Sequence, residues 1–588
     1  MVQLIQNSLD KQRLLHSITI DWNYRKTNGN IVSILKYINK NEIKIRDSYF
    51  NFIKSISQKK INGITLKDTY QYNSVYNLWQ MSTVCEKSFY KSPQITNVIK
   101  FLAIELIIQE RQPKEILLLN APDIVDPIVR EYCINSGLSY KKNNQIKSPK
   151  FKYFEGKNFI KGILLYSYKY LVNINIFNRP VNYFKGTESA FLVSYLTHFD
   201  KEKISRNYYG TGLWGDFPEN LNNLELSTNW LHLPINLKNA KNLFKTLRLK
   251  RIETNSAHNF LYSYLNFWSW LEILIDYIQV SLKSVKISSK EIFIYKNKTN
   301  LFPLFSKDFH SSTRGPVLLE NLICIKSFEK IFSIIPTQKI GFYLQENQGW
   351  EFALNSAWRK YNHGKLISVQ HSTVSFWDMR YYNSFKDYLY QPDAFVVNSL
   401  IAKKHFFSFN YNNNKVYVLE ALRYQKLKKN KLLGDNNKVL ILGDILKNAT
   451  NEMLDSIYKA MPNCRDKSFY FKPHPAQPVE IHKNYNNIET IDKPLSRVLG
   501  EYNTVICPAS SGAAVEAFYG NLNTIVFISH GELNTSPLKD FDGVEFFSYP
   551  EELERAIYKS NVINKNKEIF LIDEKIPKWN NFIKSILN

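Results

Sequence analysis

The sequence predicts an α/β protein made of two doubly wound domains, each with a mostly parallel sheet between layers of helices. Short unbroken apolar runs alternate with amphipathic segments, which is the pattern of buried strands joined by crossover helices. The chain has 588 residues, too many for one ordinary core. We expect an elaborated N-terminal domain over residues 1–380 and a C-terminal, Rossmann-like domain over residues 381–588.

Charge and composition narrow the class of protein. Lys and Arg number 77 against 52 Asp and Glu, a net charge of +25, which favours anionic partners. A hydrophobic content of 44% excludes a disordered chain. The five cysteines are scattered without metal-ligand spacing, which favours a reducing compartment. The first residues lack a continuous apolar core, so we expect a cytoplasmic protein, with the inner face of a membrane as a further location.

The N-terminal half shows the α/β alternation in part. Strands are predicted at residues 17–22, 115–120 and 190–196, and helices at residues 31–39, 95–109, 123–136, 258–282 and 316–335. The last two helices form an expected helical segment over about 257–335. Loop residues Trp214 and Phe217 line an acceptor site or form a satellite core, and the sequence leaves both alternatives open.

A basic and aromatic insertion is expected at about residues 141–185, where eight lysines between positions 141 and 169 interleave with Phe and Tyr. This mixture suits an interfacial helix that rests on anionic lipid. It equally suits a lysine-rich insertion whose aromatic side packs on its own domain.

The clearest unit of the N-terminal half has strands at residues 339–345 and 365–370 around a helix at 350–362. Ligands of open α/β sheets bind beyond the carboxyl ends of the strands. Glu346 and His371 occupy such positions, and Glu351 lies one turn into the helix. His371 is either an acceptor-site residue or a core histidine.

The C-terminal half is a second series of strands and helices. Strands are predicted at residues 394–398, 415–420, 438–443, 469–472, 487–491, 504–507 and 523–528, and helices at 400–407, 451–460, 550–558 and 578–587. Gly443 ends one strand and is expected to let a ligand approach the backbone closely. Arg423 either reaches a ligand's phosphate or pairs with an acid such as Glu420.

Residues 469–528 hold the strongest functional signal. Pro473 and Pro475 keep His474 on a stiff turn after one strand. Ser510 and Ser511 follow another strand, just before a helix. Hydroxyls and free amides at a helix N-terminus suit a phosphate, so we expect a phosphate-bearing ligand between these loops.

The segments KPHPAQP and PASSGAAVEA resemble the His-Pro and Ser-Ser motifs of bacterial sialyltransferases, polysialyltransferases and capsule Kdo transferases. Together with QENQGWEFALNSAWRKYNHGKLISVQHS and EALRY, they resemble bacterial capsule and lipopolysaccharide biosynthesis proteins. The resemblance covers roughly residues 335–530. It implies a glycosyltransferase of GT-B type, whose two doubly wound domains face each other across a cleft.

The resemblance also implies roles for individual residues. His474 would contact the donor phosphate and protonate it, Ser510 and Ser511 would bind it, and Glu516 would lie near the ribose or base. The full donor-binding set is Gly443, Lys472, His474, Pro475, Ser510, Ser511, Gly512 and Glu516. Such enzymes place an acidic base in the N-terminal domain. The matching segment here, Glu346 to Gly349, has Asn in place of the second acid and an inserted Gln, so Glu346 is the first candidate, with Glu351 and Asp378 as alternatives.

The resulting expectation is an enzyme that transfers an acidic nonulosonic or Kdo-type sugar from a CMP-linked donor to a surface polysaccharide or lipid-linked glycan. No cofactor, metal or nucleic acid is expected, and an anionic membrane is a further expected contact. Asp540 and Asp542 form a D-x-D pattern that chance explains. The alternatives are a CDP-glycerol-type polyol-phosphate transferase, a UDP-sugar glycosyltransferase, a UDP-sugar epimerase and a basic scaffold that binds polyanions or membranes.

Overall fold

The computed structural model describes residues 17–25, 31–92, 94–142, 156–177, 184, 186, 189–197, 200, 203, 209–233, 256–383, 391–425, 427, 434–475, 485, 487–559 and 569–587. Most of the first half of the basic insertion (143–155), its residues 178–183, and residues 476–478 of the His-Pro motif lie outside the described residues.

The strands, in chain order, are β1 (Ser17–Asp21), β2 (Ile31–Ser33), β3 (Lys60–Ile61), β4 (Ile64–Thr65), β5 (Gln71–Tyr72), β6 (Tyr76–Asn77), β7 (Glu115–Leu119), β8 (Ser139–Lys142), β9 (Ser189–Tyr195), β10 (Ser227–Leu233), β11 (Ser256–Phe260), β12 (Ile294–Tyr295), β13 (Thr299–Asn300), β14 (Ile340–Leu344), β15 (Lys365–Val369), β16 (Ala394–Val397), β17 (Val416–Val418), β18 (Asp435–Leu442), β19 (Ser468–Lys472), β20 (Ile488–Thr490), β21 (Tyr502–Pro508), β22 (Asn523–Phe527) and β23 (Val544–Phe547).

The α-helices are α1 (Ile34–Lys40), α2 (Glu42–Gln58), α3 (Leu66–Thr69), α4 (Thr83–Glu86), α5 (Ile95–Arg111), α6 (Asp126–Ile134), α7 (Gly156–Val172), α8 (Phe217–Asn223), α9 (Phe267–Val285), α10 (Ser289–Ile292), α11 (Phe302–Arg314), α12 (Pro316–Ile334), α13 (Gly349–Lys360), α14 (Leu400–Ser408), α15 (Lys447–Ala460), α16 (Leu495–Val498), α17 (Gly512–Tyr519), α18 (Pro550–Tyr558) and α19 (Pro577–Leu587). Among the described residues, no helix combines the length and the apolar character that a membrane span requires.

The chain divides into two compact units. Unit 1 comprises Met1–Leu196, Glu225–Leu366 and Tyr382–Asp393, and unit 2 comprises Thr197–Leu224, Ile367–Tyr381 and Ala394–Asn588. The domain boundary after residue 380 stays a prediction.

Unit 1 contains two sets of parallel strands. One sheet has the order β2-β1-β7-β8, and a second set has the order β11-β10-β9-β14. Strand β9 is buried along most of its length, as its unbroken apolar run predicts.

The predicted helix at 258–282 is wrong in its first third. Residues 256–260 form β11, which pairs in parallel with β10, and the helix α9 begins only at Phe267. Asn266 caps that helix, since its side chain accepts a hydrogen bond from the Ser269 N–H at 2.9 Å. Likewise, residues 31–33 form β2 rather than the start of a helix, and Ser33 caps α1. Both aromatic and β-branched residues suit a strand, so tertiary pairing decides these two segments.

Unit 2 is organised around a six-stranded parallel sheet with the order β20-β19-β18-β21-β22-β23. Apolar clusters cover both of its faces, one around α17 and the other around α15 and α18. Strands β15, β16 and β17 also pair in parallel. The predicted α/β class, with many-stranded parallel sheets, is confirmed; β23 was not predicted.

The segment around Trp214 forms a satellite core of unit 2, which decides between the two alternatives stated above. Trp214 and Phe217 are fully buried and stack at 5.8 Å between ring centroids. Phe217 also packs on Trp579 of α19 at 4.7 Å. A short helix, α8, begins at Phe217 where the sequence predicted an irregular loop.

Candidate functional site

Three neighbouring loops of unit 2 bring the predicted donor residues together. Strand β18 lies between β19 and β21, so the loops at their carboxyl ends are adjacent. His474 follows β19, Gly443 follows β18, and Ser510 follows β21. This edge of a parallel sheet is where open α/β proteins bind ligands.

Asp444 joins these loops, and no role for it was predicted from the sequence. It is buried, and its Oδ2 accepts a hydrogen bond from the Ser510 hydroxyl at 2.6 Å. Its Oδ1 accepts from the Leu446 N–H at 2.7 Å. The negative charge of Asp444 also acts on His474. The only sequence signal for Asp444 was its place directly after a buried strand.

His474 is half-buried on the turn after β19. Burial lowers the pKa of its imidazole, and the nearby charge of Asp444 partly opposes this effect. A neutral imidazole is therefore favoured at neutral pH until an anion binds beside it.

Gly443 makes room for the His474 loop. A Cβ atom on Gly443 would lie 3.0 Å from the His474 backbone nitrogen and 3.4 Å from the Pro473 Cα. The Gly443 N–H donates to the Lys472 carbonyl at 2.9 Å. The missing side chain thus lets the two loops approach each other. Lys472 is half-buried, and Pro475 is exposed.

The turn before α17 presents an open helix N-terminus. Ser511 is the N-cap residue, and its Oγ accepts from the Ala513 N–H at 3.2 Å. Gly512 is exposed, and nothing lies within 4 Å of where its Cβ would be. The first N–H groups of a helix have no intrahelical acceptor, and the helix dipole favours an anion there. The Ser510 proton points to Asp444, so Ser510 offers a ligand its lone pairs.

Glu516 lies beside Arg423 at the far side of this turn. Burial raises the pKa of the Glu516 carboxyl, and the positive charge of Arg423 opposes the rise. Glu420 is engaged elsewhere, because its two oxygens accept from the N–H groups of Lys578 (3.0 Å) and Trp579 (3.2 Å) at the start of α19. The acid that faces Arg423 is therefore Glu516 rather than Glu420.

A second carboxylate with a histidine partner lies at the end of β22. The Nδ1 atom of His530 is 2.7 Å from Glu452 Oε1, which also accepts from the His530 N–H at 2.6 Å. Burial raises the pKa of Glu452, but these bonds outweigh it, so that the pKa is lowered. Neither residue of this pair was predicted from the sequence.

A small, open pocket lies beside α17. Val515 of that helix, Phe541 and Phe570 form apolar walls, while Gln370 and Asn398 contribute carboxamides.

In unit 1, Glu346 lies two residues after the end of β14 and is half-buried. The Tyr195 hydroxyl donates to Glu346 Oε2 at 3.0 Å, and the Gln348 side-chain amide donates to the same atom. Trp350 Nε1 in turn donates to the Tyr195 oxygen at 3.2 Å. Burial and the charge of Glu346 raise the pKa of Tyr195. The carboxylate is therefore held in a fixed orientation.

Glu351 has a structural role. It is 2% exposed, and its Oε1 accepts from the N–H groups of Glu346 and Gln348 at 2.9 Å each. This is the capping box of α13. Burial raises the pKa of Glu351 to about 8, although the backbone hydrogen bonds oppose the rise.

The structure also describes Asp378 and His371, the two other candidates from the predicted N-terminal domain. Asp378 forms a two-point ion pair with Arg380, with both N–O distances 2.8 Å. His371 is buried. Asp378, like Glu346, is half-buried, so accessibility does not separate these two carboxylates.

Two segments that the sequence did not connect meet near Gln348. Lys91 Nζ donates to Gln348 Oε1 at 3.3 Å and lies 2.8 Å from Glu86 Oε1. Burial raises the pKa of the nearby Asp308 to about 6. Contacts between residues more than 200 positions apart leave no pattern in a single sequence.

Among the described residues, no three His, Cys, Asp or Glu side chains are grouped as a metal site requires.

No family model and no curated protein sequence matches this chain. Three solved structures show a low similarity to it over about two thirds of the chain. The UDP-GlcNAc 2-epimerase of Methanocaldococcus jannaschii in complex with UDP-GlcNAc and UDP has a TM-score of 0.38 at 11% identity, covering 68% of this chain and 99% of its own. The lipopolysaccharide outer core galactosyltransferase WaaB has a TM-score of 0.36 at 12% identity, covering 67% and 99%. A glycosyltransferase from Rickettsia africae has a TM-score of 0.32 at 12% identity, covering 69% and 100%.

Proposed function

We propose that the protein is a nucleotide-sugar-dependent glycosyltransferase of GT-B type whose donor phosphate binds to the loops after β18, β19 and β21. One observation carries the proposal. His474, the hydrogen-bonded Asp444 and Ser510, and the open first turn of α17 meet at one edge of a parallel sheet.

These groups suit a departing phosphate. The N–H groups of the first turn of α17 and the Ser511 hydroxyl would stabilise its developing charge. A bound anion raises the pKa of a neighbouring imidazole, so His474 would become the proton donor only when the donor is bound. Asp444 would then stabilise the imidazolium. The step as proposed uses no metal, because the N–H groups of α17, the Ser511 hydroxyl and the His474 imidazolium would donate hydrogen bonds to the phosphate.

Glu346 is our proposed general base for the acceptor hydroxyl. It is half-buried, and Tyr195 and Gln348 orient it. A positioned base contributes roughly 100- to 10,000-fold to the rate. We do not propose Glu351 for this role, because its Oε1 already accepts hydrogen bonds from the backbone N–H groups of Glu346 and Gln348.

The proposed donor is a CMP-linked acidic sugar of the nonulosonic or Kdo type, and the acceptor a surface polysaccharide or lipid-linked glycan. The resemblance of the His-Pro and Ser-Ser segments supports this donor, and a net charge of +25 favours an anionic donor and acceptor.

The test is a donor panel with CMP-linked, UDP-linked and CDP-glycerol substrates, scored by nucleotide release and product mass. Release of CMP that requires an acceptor supports the proposal. Turnover of UDP-sugars alone contradicts the CMP assignment but keeps the transferase, and glycerol phosphate in the product identifies a polyol-phosphate transferase. Epimerised UDP-sugar without transfer contradicts the proposal.

A further inference from the structure

Helices α7 and α9 of unit 1 form an outer pair with an apolar surface. On α7 the exposed side chains repeat at helical spacing and are mostly apolar: Ile160, Leu164, Tyr168 and Leu171. On α9 the large exposed side chains are Phe267, Trp268, Ile275, Ile278, Leu282 and Val285. Scattered single apolar residues are normal on a protein surface, but ten on two neighbouring helices indicate a binding surface.

The two helices run antiparallel. Tyr277 of α9 stacks on Phe159 at 5.4 Å and would collide with a Cβ atom on Gly162, near the start of α7. Trp270, near the start of α9, packs on Tyr166 and Tyr170 near the end of α7, with ring centroids 5.6 and 5.7 Å apart. Leu171 is therefore level with Phe267 and Trp268.

The opposite side of this pair is fixed to the protein. The Tyr277 hydroxyl donates to the Arg314 carbonyl of α11 at 3.0 Å, and Ser284 Oγ donates to the Thr313 carbonyl at 2.9 Å. Lys169 Nζ lies 4.0 Å from Glu320 of α12. Since these inward contacts occupy one side of each helix, the helical period places the exposed apolar side chains together on the outer side.

Charge identifies the occupant of this surface. Lys157 and Lys161 are exposed on α7, which contains no Asp or Glu. The exposed Lys283 and Lys286 lie at the end of α9. The two acids of α9, Glu272 and Asp276, both face Lys326, at 3.2 and 3.7 Å. A second copy of the chain would bring lysines against lysines, whereas an anionic lipid surface would neutralise them.

We propose that the outer face of α7 and α9 is a membrane-docking surface that binds peripherally to a bilayer containing anionic lipid. The apolar side chains would enter the boundary between headgroups and acyl chains, with lysines at the phosphates. Trp268 and Tyr168 suit the headgroup level, because each has an apolar ring with one polar atom. This interaction is independent of the proposed transferase activity.

The test is vesicle co-sedimentation of the full chain. The protein is expected to bind vesicles of phosphatidylcholine with about 30% phosphatidylglycerol and to bind pure phosphatidylcholine far less. Binding should also weaken with added salt, because the screening length of charges falls from about 10 Å at 0.1 M to about 3 Å at 1 M ionic strength. Equal binding to both vesicles, or none to either, overturns the proposal whatever the variants show.

Three variants complete the experiment. Leu164→Glu with Trp268→Glu removes apolar side chains that are 65% and 67% exposed and should abolish binding. Lys157→Gln with Lys161→Gln should weaken binding on the order of 30-fold, from two lysines at the surface. Ile134→Glu, at a site 60% exposed on α6, is the matched control and should bind as the wild type does.

Two results contradict the proposal at this level. One is unchanged binding by the first variant while its unfolding midpoint matches the wild type. The other is a wild-type protein that is dimeric and binds no vesicles, together with a first variant that is monomeric. That result would assign the face to a second copy of the chain.

Discussion

Replacing Glu351 by Gln separates a structural carboxyl from a catalytic one. Glu351 is 2% exposed, and its pKa is raised from 4.5 to about 8 by burial. In the unfolded chain the pKa returns to its ordinary value. Gln keeps the oxygen that accepts the Glu346 and Gln348 N–H groups, so the capping box survives the substitution.

The expected effect depends on pH. Below pH 4.5 the carboxyl is protonated in both states and does not affect stability. Between pH 4.5 and pH 8 the unfolded chain releases the proton and the folded protein keeps it, so stability falls as pH rises. The slope is roughly 1.4 kcal/mol per pH unit, which gives about 3–4 kcal/mol between pH 5 and pH 8. The Gln variant lacks this loss.

The assay compares urea unfolding midpoints of wild type and Glu351→Gln at several pH values from 5 to 8. The readout is how the difference between the two proteins changes with pH, because all other titrating groups cancel. The variant's advantage should grow steadily towards pH 8. A difference that stays constant across this range would refute the reasoning.

The same substitution should leave turnover nearly unchanged, whereas Glu346→Gln should lower kcat roughly 100- to 10,000-fold. Glu351→Ala supplies the contrast on the structural side. It removes the capping oxygen and should cost about 1–2 kcal/mol for the cap alone. Loss of turnover in Glu351→Gln with a normally folded loop would transfer the catalytic role to Glu351.

The remaining predictions concern unit 2. His474→Asn should lower kcat at least about 100-fold in the nucleotide-release assay, and wild-type turnover would remove His474 from the mechanism. Asp444→Asn removes the charge that opposes the lowering of the His474 pKa, so the basic limb of the kcat/KM profile should move to lower pH, and an unmoved limb contradicts the pairing. Ser511→Ala should cost about 1 kcal/mol of stability as a lost N-cap and weaken CMP binding measured by calorimetry; unchanged binding would place the phosphate elsewhere. Glu420→Ala should lower the unfolding midpoint by about 1–3 kcal/mol while kcat is retained, and a lower kcat would contradict its purely structural position.

The strands of unit 2 were predictable because buried parallel strands have unbroken apolar sequences. Residues 438–443, 469–472 and 504–507 show such runs, and β18, β19 and β21 contain them. His474 and Ser510 follow these strands directly, so their place at a sheet edge was predictable as well. Asp444 satisfied the same rule. Its role was not predicted, because only the order of the strands in the sheet places Asp444 between His474 and Ser510.

Local sequence patterns gave a wrong prediction where the same residues suit both a helix and a strand. The segment from His258 onwards is aromatic and apolar, which suits a helix and a buried strand alike, and pairing with β10 selects the strand for residues 256–260. The docking surface shows a related limit. Lysines among aromatic residues marked the region of α7, but the exposed face of α9 depends on how that helix packs on α11 and α12.

By itself the sequence determined the α/β class, most strands of unit 2 and the loops that carry His474, Ser510 and Ser511, because these depend on local hydrophobic runs and turn residues. Only the tertiary structure decided the surroundings of each acid. Glu346 and Glu351 are five positions apart and chemically alike. Yet Glu351 is buried and accepts hydrogen bonds from backbone N–H groups, whereas Glu346 is only half-buried. Asp444 became a partner of Ser510 because strands distant in sequence pair side by side, and burial, which sets the charge of each acid, is a property of the packed chain.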